Sequence, residues 1–405
     1  MPLRSKVPLF AVLSIALSAG SIAAQTDRPL NFILVFIDDM GFSDLSCFGN
    51  EAVTTQHIDR LAAEGIRFEQ FYVGSPICSP SRVAISTGQY PQRWRISSYL
   101  SNRADNERRG MAHWLDPKAP MLARLLRENG YATGHFGKWH MGGQRDVGEA
   151  PLITEYGFDA SLTNFEGLGP RILPLNDAFD GKPPRKYALG SDELGRGEIT
   201  WESRSLVTQS FTKAAIAFIE VAVAAERPFY VNVWPDDVHS PFFPPKARRG
   251  GGEKRTLYHG VLDTMDEQLG ELFELVRSKK KLRENTILLL CSDNGPEKGA
   301  GSAGPYRGLK TMLYEGGIRS PLIVWGPGNV AEEAVGTVNA ESVFCAMDLV
   351  PTILDLARVD PKDTDFDGEP LPDVVLGKSQ ASREAPIFFR RPPDRDAFYG
   401  VDDLP

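Results

Sequence analysis

The chain of 405 residues contains only four cysteines, Cys47, Cys78, Cys291 and Cys345. They are scattered and form no Cys-x-x-Cys pair, so their spacing argues against a zinc ribbon and against a thioredoxin-type redox site. Basic residues are not in excess either, because 45 Lys and Arg against 53 Asp and Glu give a formal net charge of −8. This balance argues against a general nucleic-acid-binding role, and we expect no nucleic acid among the partners.

Long apolar runs are also missing, apart from one at the N-terminus. Arg4 and Lys6 supply positive charge, the mostly apolar run 7–17 follows, and the small residues of 21–24 fit a cleavage site. This order predicts a signal peptide over 1–24 and a mature protein exported to the periplasm or outside the cell. A retained anchor is the alternative, but the run is short for a membrane span, so we predict no stable membrane anchor. An exported chain permits a disulfide, and the sequence does not select the pair.

The rest of the chain alternates between strand and helix patterns. Residues 31–37 form a nearly continuous apolar run, as expected for a strand buried on both faces. Residues 257–277 carry apolar side chains at helical spacing. This alternation predicts an α/β fold with a doubly wound, mostly parallel sheet and helices on both faces. Further strands are predicted over 228–234, 285–291 and 321–325, and further helices over 57–64, 121–129 and 205–225.

Acidic and amide side chains directly follow two of the predicted strands. Asp38 and Asp39 come after the first strand, and Asp293 and Asn294 come after the strand that ends at Cys291. In open parallel sheets, sites gather at the carboxyl ends of the strands. Three carboxylates and an amide oxygen form a hard donor set that suits Ca²⁺ or Mg²⁺ better than zinc. The alternative is that each Asp caps the helix that follows.

Two blocks carry the most specific pattern in the chain. The first is Cys78-Ser79-Pro80-Ser81-Arg82, and Thr87-Gly88 follows it. The second is the run Gly-Tyr-Ala-Thr-Gly-His-Phe-Gly-Lys-Trp-His over 130–140. Together with Ser-Asp-Asn-Gly at 292–295, they resemble the signature blocks of the formylglycine-dependent sulfatase family. One departure is Ser-Thr-Gly-Gln at 86–89, where that family often has Leu-Thr-Gly-Arg.

The resemblance implies that Cys78 is a precursor rather than a working thiol. A formylglycine-generating enzyme would oxidise it to formylglycine, whose hydrated aldehyde attacks sulfate esters. Pro80 fits the first helical position and Ser79 the cap before it, so we expect Cys78 on a turn that enters a helix. A helix N-terminus favours negative charge, such as that of a hydrated aldehyde beside a metal. The alternative for a free cysteine is a buried small hydrophobic residue.

Four cationic or titratable side chains are further candidates. Lys138 and His140 are two residues apart, so they face the same side of an extended segment. His239 follows the 228–234 strand, and Lys310 precedes the Glu-Gly-Gly-Ile-Arg segment 315–319. Taken singly, each is more simply an exposed lysine or a structural histidine. The resemblance maps all four, in order, onto sulfatase positions. The remaining histidines match none and are predicted to be structural: His57, His113, His135 and His259.

The resemblance also implies a role for each residue. Lys138 and Lys310 would bind sulfate oxygens, because an anionic ester attacked by an oxyanion needs cations. Arg82 would hold the aldehyde hydrate. His239, aided by Lys310, would protonate the leaving alcohol, and His140 would accept a proton from the second hydroxyl and so expel sulfate. The implied ligands of Ca²⁺, with Mg²⁺ as the alternative, are Asp38, Asp39, Asp293, Asn294 and the hydrated aldehyde formed from Cys78.

The resemblance covers about 30–357 and implies the alkaline-phosphatase-like fold. We expect a catalytic domain over 25–357 and part of a small C-terminal subdomain over 358–405. Relatives usually continue into an antiparallel sheet, and here 386–389 predicts a first strand. A lone strand cannot satisfy its hydrogen-bond ladder, so we expect an incomplete subdomain that packs poorly after about Asp360.

The sequence therefore predicts a sulfuric ester hydrolase that acts on a sulfated small molecule or glycan. Two alternatives stay open. A phosphate mono- or diester hydrolase of the same superfamily would use the same cations and metal. A non-catalytic sulfated-glycan-binding protein would keep Cys78 as a thiol. The substrate itself is not identified, and we expect the stretch 155–197 to line the pocket.

Overall fold

The computed structural model describes residues 28–392, apart from 178 and 180, so the predicted signal peptide lies outside the described residues. The strands are β1 (Asn31–Ile37), β2 (Ile66–Tyr72), β3 (Ala132–Gly137), β4 (Ala160–Leu162), β5 (Arg171–Asn176), β6 (Arg185–Lys186), β7 (Ile199–Ser203), β8 (Phe229–Trp234), β9 (Thr286–Ser292), β10 (Arg319–Trp325), β11 (Val338–Asn339) and β12 (Phe344–Cys345). The α-helices are α1 (Gln56–Glu64), α2 (Cys78–Thr87), α3 (Arg103–Arg108), α4 (Leu122–Glu128), α5 (Val207–Ala224), α6 (Lys254–Ser278), α7 (Lys280–Asn285), α8 (Glu315–Ile318), α9 (Leu349–Leu356) and α10 (Pro372–Val375).

Nine strands form the central sheet, in the order β11-β2-β10-β9-β1-β8-β3-β4, with β12 also paired to β2. Strands β9, β1, β8, β3 and β4 are mutually parallel, whereas β10 runs antiparallel to both of its neighbours. Every strand and helix predicted before residue 358 is present within a few residues of its predicted bounds. The predicted α/β class with a mostly parallel sheet is therefore confirmed.

The alternating side chains of β1 divide the apolar core between the two faces of the sheet. Phe32, Leu34 and Phe36 belong to a core that includes residues of α4 and α9. Ile33 and Val35 belong to a second core with residues of α1, α5 and α6. A strand that is buried on both faces needs apolar residues at every position, which explains the unbroken run in the sequence. The helices on both faces were predicted and are observed.

One helical segment of the described residues, Arg204–Ala224, is long and apolar enough to cross a membrane by length and composition alone. Its helix α5 packs on α6, β3 and β8. Phe211, Ala215 and Ile219 are fully buried in the second core. This packing is that of a helix layered on a sheet.

A small sheet extends from the edge of the main sheet beyond β4. In it, β5 pairs parallel with β7 and antiparallel with β6. A single bridge between Thr163 and Arg171 links its first strand to the segment after β4. The stretch that we expected to line the pocket therefore leads from the main sheet into this small sheet. All four cysteines are free, so none of them forms the disulfide that export would permit.

The C-terminal segment differs from the sequence prediction. No strand forms over 386–389, and Phe388 is 67% exposed. Residues 361–392 instead run back over the main domain. Arg383 forms a buried ion pair with Asp348, and Asp367 accepts hydrogen bonds from Tyr90 N–H and the Arg93 guanidinium. Ion pairs and backbone hydrogen bonds satisfy polar groups of this segment without a sheet. Only Val374, Val375, Leu376 and Arg383 of the segment are buried, so the expectation of poor packing after Asp360 stays a prediction. The subdomain boundary itself stays a prediction.

Candidate active site

The predicted site residues meet at one edge of the sheet. Asp38 and Asp39 follow β1, Lys138 follows β3, and Asp293 follows β9. His239 follows β8, which lies between β1 and β3. Because these strands are parallel neighbours, their carboxyl ends present the four loops side by side.

Three carboxylates form the acidic centre of the site. Oxygen atoms of Asp38, Asp39 and Asp293 all lie within 4.8 Å of one another. Asp293 Oδ1 accepts a hydrogen bond from the Asp39 backbone N–H at 3.0 Å. Asn294 Nδ2 donates to Asp39 Oδ1 at 2.8 Å. All four side chains are buried, so water screens the charges of the three carboxylates only weakly.

This donor set fits a hard divalent cation. Asn294 Oδ1 is buried and, within the described part of the chain, has no hydrogen-bond partner. Asp38 Oδ1 forms no hydrogen bond there either and has the Arg82 guanidinium at 3.2 Å. Buried polar atoms without a partner are rare in native proteins, which indicates a missing ligand here. Burial and the charge of Asp38 raise the pKa of Asp293, as expected for carboxylates that repel each other. Oxygen donors of this kind are the usual ligands of Ca²⁺ and Mg²⁺.

Cys78 is the first residue of α2 and is 2% exposed. Its Sγ lies 3.9 Å from Lys138 Nζ, and within 4.8 Å of ligand atoms of Asp38 and His239. Burial, together with the negative charge of Asp38, raises the pKa of the Cys78 thiol. Because the thiolate is the reactive form of cysteine, the unmodified side chain is a poor nucleophile.

The start of α2 corrects one prediction. The helix begins at Cys78 with Ile77 as the N-cap, and no side chain caps it. Ser79 Oγ instead accepts a hydrogen bond from Leu100 N–H at 2.9 Å. Pro80 is therefore the third helical residue rather than the first. Proline is tolerated throughout the first turn, because the backbone N–H groups there have no intrahelical acceptor.

Arg82 is fully buried beneath the acidic centre. Its Nη2 lies 2.9 Å from Asp293 Oδ2 and 3.2 Å from Asp38 Oδ1, and Nη1 donates to the Lys138 carbonyl at 3.0 Å. Its guanidinium also lies over the ring of Trp234. Burial alone would lower the pKa of Arg82, but the charges of Asp293 and Asp38 raise it. The guanidinium is thus a fixed positive charge that holds two of the carboxylates.

Lys138 and His140 share a partner that sequence reasoning missed. Glu166 Oε2 lies 3.2 Å from Lys138 Nζ and 3.1 Å from His140 Nδ1. The His140 backbone N–H also donates to the Glu166 carbonyl at 2.8 Å. Burial would raise the pKa of Glu166, but the charges of His140 and Lys138 lower it to about 2. The only sequence signal was that Glu166 falls within the stretch 155–197.

The imidazole of His140 has both nitrogens engaged. Nε2 contacts the Leu100 carbonyl at 3.0 Å, so Nε2 carries the hydrogen, and Nδ1 faces Glu166. Burial lowers the pKa of His140 to about 3. The negative charge of Glu166 opposes this effect of burial, because it favours the protonated imidazole. Lys138 and His140 do face one side, as predicted, and that side is occupied by Glu166.

His239 and Lys310 share Asp39 as a partner. Lys310 Nζ lies 2.6 Å from Asp39 Oδ2, and His239 Nε2 lies 3.7 Å from the same oxygen. His239 Nδ1 contacts the Ser240 carbonyl at 2.7 Å. His239 is 30% exposed, so it borders the entrance of the site.

A buried network fixes the loop that carries His239. The His239 backbone N–H donates to the Asp236 carbonyl at 3.1 Å. Asp236 in turn pairs with Arg204 at 2.8 Å and accepts from Asn164 Nδ2 at 2.9 Å. The segment before α5 and the segment after β4 therefore both hold this loop. Among the remaining histidines, His135 is buried in an aromatic cluster with Trp139 and Trp234, as a structural residue would be.

This arrangement defines a hydrolase of anionic esters, in which buried cations and an oxygen-donor set surround the residue at position 78. The chain belongs to the sulfatase family, whose sequence profile it matches over residues 30–359. It is therefore a sulfuric ester hydrolase, and its function is the hydrolysis of sulfate esters.

Relatives and a solved structure agree with this assignment. The chain is 32% identical to N-acetylgalactosamine-6-sulfatase of Canis lupus familiaris, over 95% of this chain and 72% of the relative. It is 30% identical to arylsulfatase A of Homo sapiens, over 94% of this chain and 74% of the relative. The crystal structure of Ps i-CgsB in complex with k-i-k-neocarrahexaose is similar with a TM-score of 0.69 and 25% identity, covering 87% of this chain and 78% of that one.

Proposed function

We propose that the enzyme hydrolyses a sulfate ester of a glycan or an aryl alcohol, with formylglycine formed from Cys78 and a bound Ca²⁺ or Mg²⁺. One observation carries this proposal. Buried Cys78 lies beside the Lys138 ammonium and a cluster of carboxylates, and the neighbouring Asn294 Oδ1 has no hydrogen-bond partner within the described residues. A glycan substrate is favoured by the names of the relatives, one of which is a 6-sulfatase of an amino sugar. The Ps i-CgsB complex with an oligosaccharide supports the same class.

The residues present fit both implied groups. Formylglycine at position 78 would supply an oxygen nucleophile in place of a thiol whose pKa is raised by burial. A cation held by Asp38, Asp39, Asp293 and Asn294 would supply positive charge close to the ester oxygens. The chain itself contributes Lys138 and Lys310, whose Nζ atoms are held beside position 78 by carboxylates at 2.6 Å each. These two ammonium groups bind sulfate oxygens, and Arg82 orients the side chain at position 78.

Proton transfer is assigned to the two histidines of the site, His140 and His239. Nδ1 of His239 donates to the Ser240 carbonyl, so Nε2 is the atom that gives a proton to the leaving alcohol. His239 also borders the entrance, where the leaving group departs. His140 accepts a proton when sulfate is expelled. Glu166, 3.1 Å away, stabilises the imidazolium that this step produces.

The first experiment joins modification to activity. The chain is produced with and without a formylglycine-generating enzyme, and the peptide that contains residue 78 is analysed by mass spectrometry. Activity towards an aryl sulfate, sulfated glycans and an aryl phosphate should appear only with the aldehyde and favour sulfate. Fully active protein with an unmodified Cys78 would refute the formylglycine proposal. Preferred turnover of the phosphate would favour the phosphate hydrolase alternative, and binding of sulfated glycans without turnover would favour the binding protein.

Maturation and export are also proposals. The motif at 78–82 implies the formylglycine-generating enzyme as a partner, and residues 1–24 imply export. Expression of the whole chain, followed by N-terminal sequencing of the protein found outside the cytoplasm, tests the export proposal. A new N-terminus near Gln25 is expected. Retention of the intact chain in the cytoplasm would contradict it.

A further inference from the structure

Glu166 is a buried carboxylate of the site that neither contacts Arg82 nor belongs to the proposed cation ligands. It is 7% exposed, and its Oε2 lies between Lys138 Nζ and His140 Nδ1 at 3.2 Å and 3.1 Å. Lys138 Nζ itself lies 3.9 Å from Cys78 Sγ. The carboxylate is therefore separated from the reacting position by a single ammonium group.

The backbone also fixes Glu166 in this place. Its carbonyl accepts from His140 N–H, and Gln144 and Glu166 form an isolated antiparallel bridge. Phe165, the preceding residue, is buried, and its ring centroid lies 5.5 Å from that of Tyr187, the residue after β6. A buried carboxylate held this firmly carries a permanent negative charge, and the lowered pKa of Glu166 agrees with this.

The charges of the site suit an ester with one negative charge. Arg82, Lys138 and Lys310 face four buried carboxylates, those of Asp38, Asp39, Asp293 and Glu166. With the proposed divalent cation these groups sum to one net positive charge, and the proton that His239 gives to the leaving alcohol adds one more. Glu166 lowers either total by one. A sulfate monoester carries one negative charge, whereas a phosphate monoester approaches two above its second pKa near 6.

We infer that Glu166 determines the selectivity of the site for singly charged sulfate esters over doubly charged phosphate monoesters. The inference rests on the proposed function, because it assumes that the ester binds at Lys138. Glu166 repels the second charge of a phosphate directly, and it also pairs with the Lys138 ammonium that would otherwise be free to neutralise this charge. It acts as a specificity-determining residue through Lys138 and does not itself touch the ester.

Two variants separate charge from shape. Glu166→Gln removes the charge and keeps the volume, whereas Glu166→Asp keeps the charge and shortens the side chain. Glu332→Gln, at an exposed glutamate in the loop between β10 and β11, is the control for net charge. For each protein, kcat/KM is measured with an aryl sulfate and with the matching aryl phosphate at pH 8, and the phosphate-to-sulfate ratio is compared. The ratio is independent of the fraction of correctly folded or modified protein.

We expect Glu166→Gln to raise this ratio about tenfold or more, the size expected for one unit charge across several Å of a partly desolvated site. Glu166→Asp should lower both rates and leave the ratio within about twofold of the wild type, and Glu332→Gln should change neither. A purely structural role of Glu166 would lower both rates in both variants and leave the ratio unchanged. That result would overturn the inference.

A binding measurement distinguishes failure of the inference from failure of the proposed function. In a Cys78→Ala background, which cannot turn over, calorimetry gives the affinities for phenyl sulfate and phenyl phosphate with and without Glu166→Gln. We expect the charge-removing variant to shift the ratio of the two affinities towards phosphate by a similar factor, and an unchanged ratio would overturn the inference. Absence of sulfatase activity in modified wild-type protein would overturn the proposed function, while the affinity ratio would still decide the role of Glu166.

Discussion

Replacing Arg383 by alanine should release the C-terminal segment from the main domain. The Arg383 side chain is 3% exposed and pairs with Asp348, which is fully buried, at 3.0 Å. Its Nε donates to the Ala385 carbonyl at 2.7 Å, and Nη2 donates to the Asp367 carbonyl at 3.2 Å. One guanidinium thus joins the main domain to two points of the segment 361–392.

The loss of stability in Arg383→Ala depends on the buried Asp348 carboxylate, which loses its ion-pair partner. Removing one partner of a buried ion pair costs about 3–5 kcal/mol, because the other charge stays buried. Asp348 would keep two backbone donors, the N–H groups of Cys345 at 2.7 Å and Glu369 at 2.8 Å. We therefore expect the lower end of the range, about 3 kcal/mol. For a chain of this length, this corresponds to a decrease of roughly 3–4 °C in Tm.

Thermal unfolding measures the loss of stability, and limited proteolysis shows whether the C-terminal segment is released. The wild type should resist cleavage between 361 and 392, and Arg383→Ala should be cleaved there first. Arg390→Ala is the matched control, because Arg390 is an exposed arginine of the same segment and its replacement should change stability by no more than about 0.5 kcal/mol. Equal Tm values for wild type and Arg383→Ala, or early cleavage of the wild type after Asp360, would refute the reasoning.

Three further predictions concern the site and the stability of the main domain. His239→Ala should reduce turnover of esters with poor leaving groups far more than that of activated aryl sulfates, because an activated phenolate needs little protonation; equal losses would mean that the acid is misassigned. Asp293→Ala should abolish the gain in Tm that millimolar Ca²⁺ gives to the metal-free wild type, and a retained gain would place the cation elsewhere. Burial raises the pKa of Asp266 to about 6, although His57 and Ile58 N–H groups donate to it. The folded state therefore binds this proton more tightly than the unfolded state, so the stabilising contribution is complete below pH of about 4 and is lost as the pH rises through about 6. Urea unfolding at successive pH values should show a smaller loss in Asp266→Asn than in the wild type, where the pKa values of Asp44 and Asp237 are also raised to about 6.

The sheet was predictable because its strands are buried on both faces. The unbroken apolar runs of β1 and β9 have the length and composition of buried strands. The apolar faces of helices α5 and α6 are visible in the sequence as residues at helical spacing. The direction of each strand was harder to predict from the sequence. β10 is antiparallel to both neighbours, and its apolar run contains nothing that distinguishes it from the parallel strands.

Two local predictions were wrong, and each has a physical reason. Pro80 was assigned to the first helical position, yet the first turn accepts proline at any of its positions. Residues 386–389 were read as a strand from their composition alone. Their segment is held by Arg383 and Asp367, whose partners lie 35 or more residues away in the chain, and no local pattern reports such a contact.

The same reasoning explains why Glu166 was missed while the other site residues were found. Asp39 and Asp293 are 254 residues apart, yet β1 and β9 are adjacent parallel strands, so the rule that sites lie at strand ends brought them together. Glu166 follows β4, an edge strand of three residues with no apolar run to mark it. Its position depends on the bridge to Gln144 and on the hydrogen bond to His140, which form only once the loops after β3 and β4 have met. A residue that is positioned by loops rather than by a strand is not marked by a periodic apolar pattern in the sequence. The function of its charge can be inferred only when its partners in the structure are known.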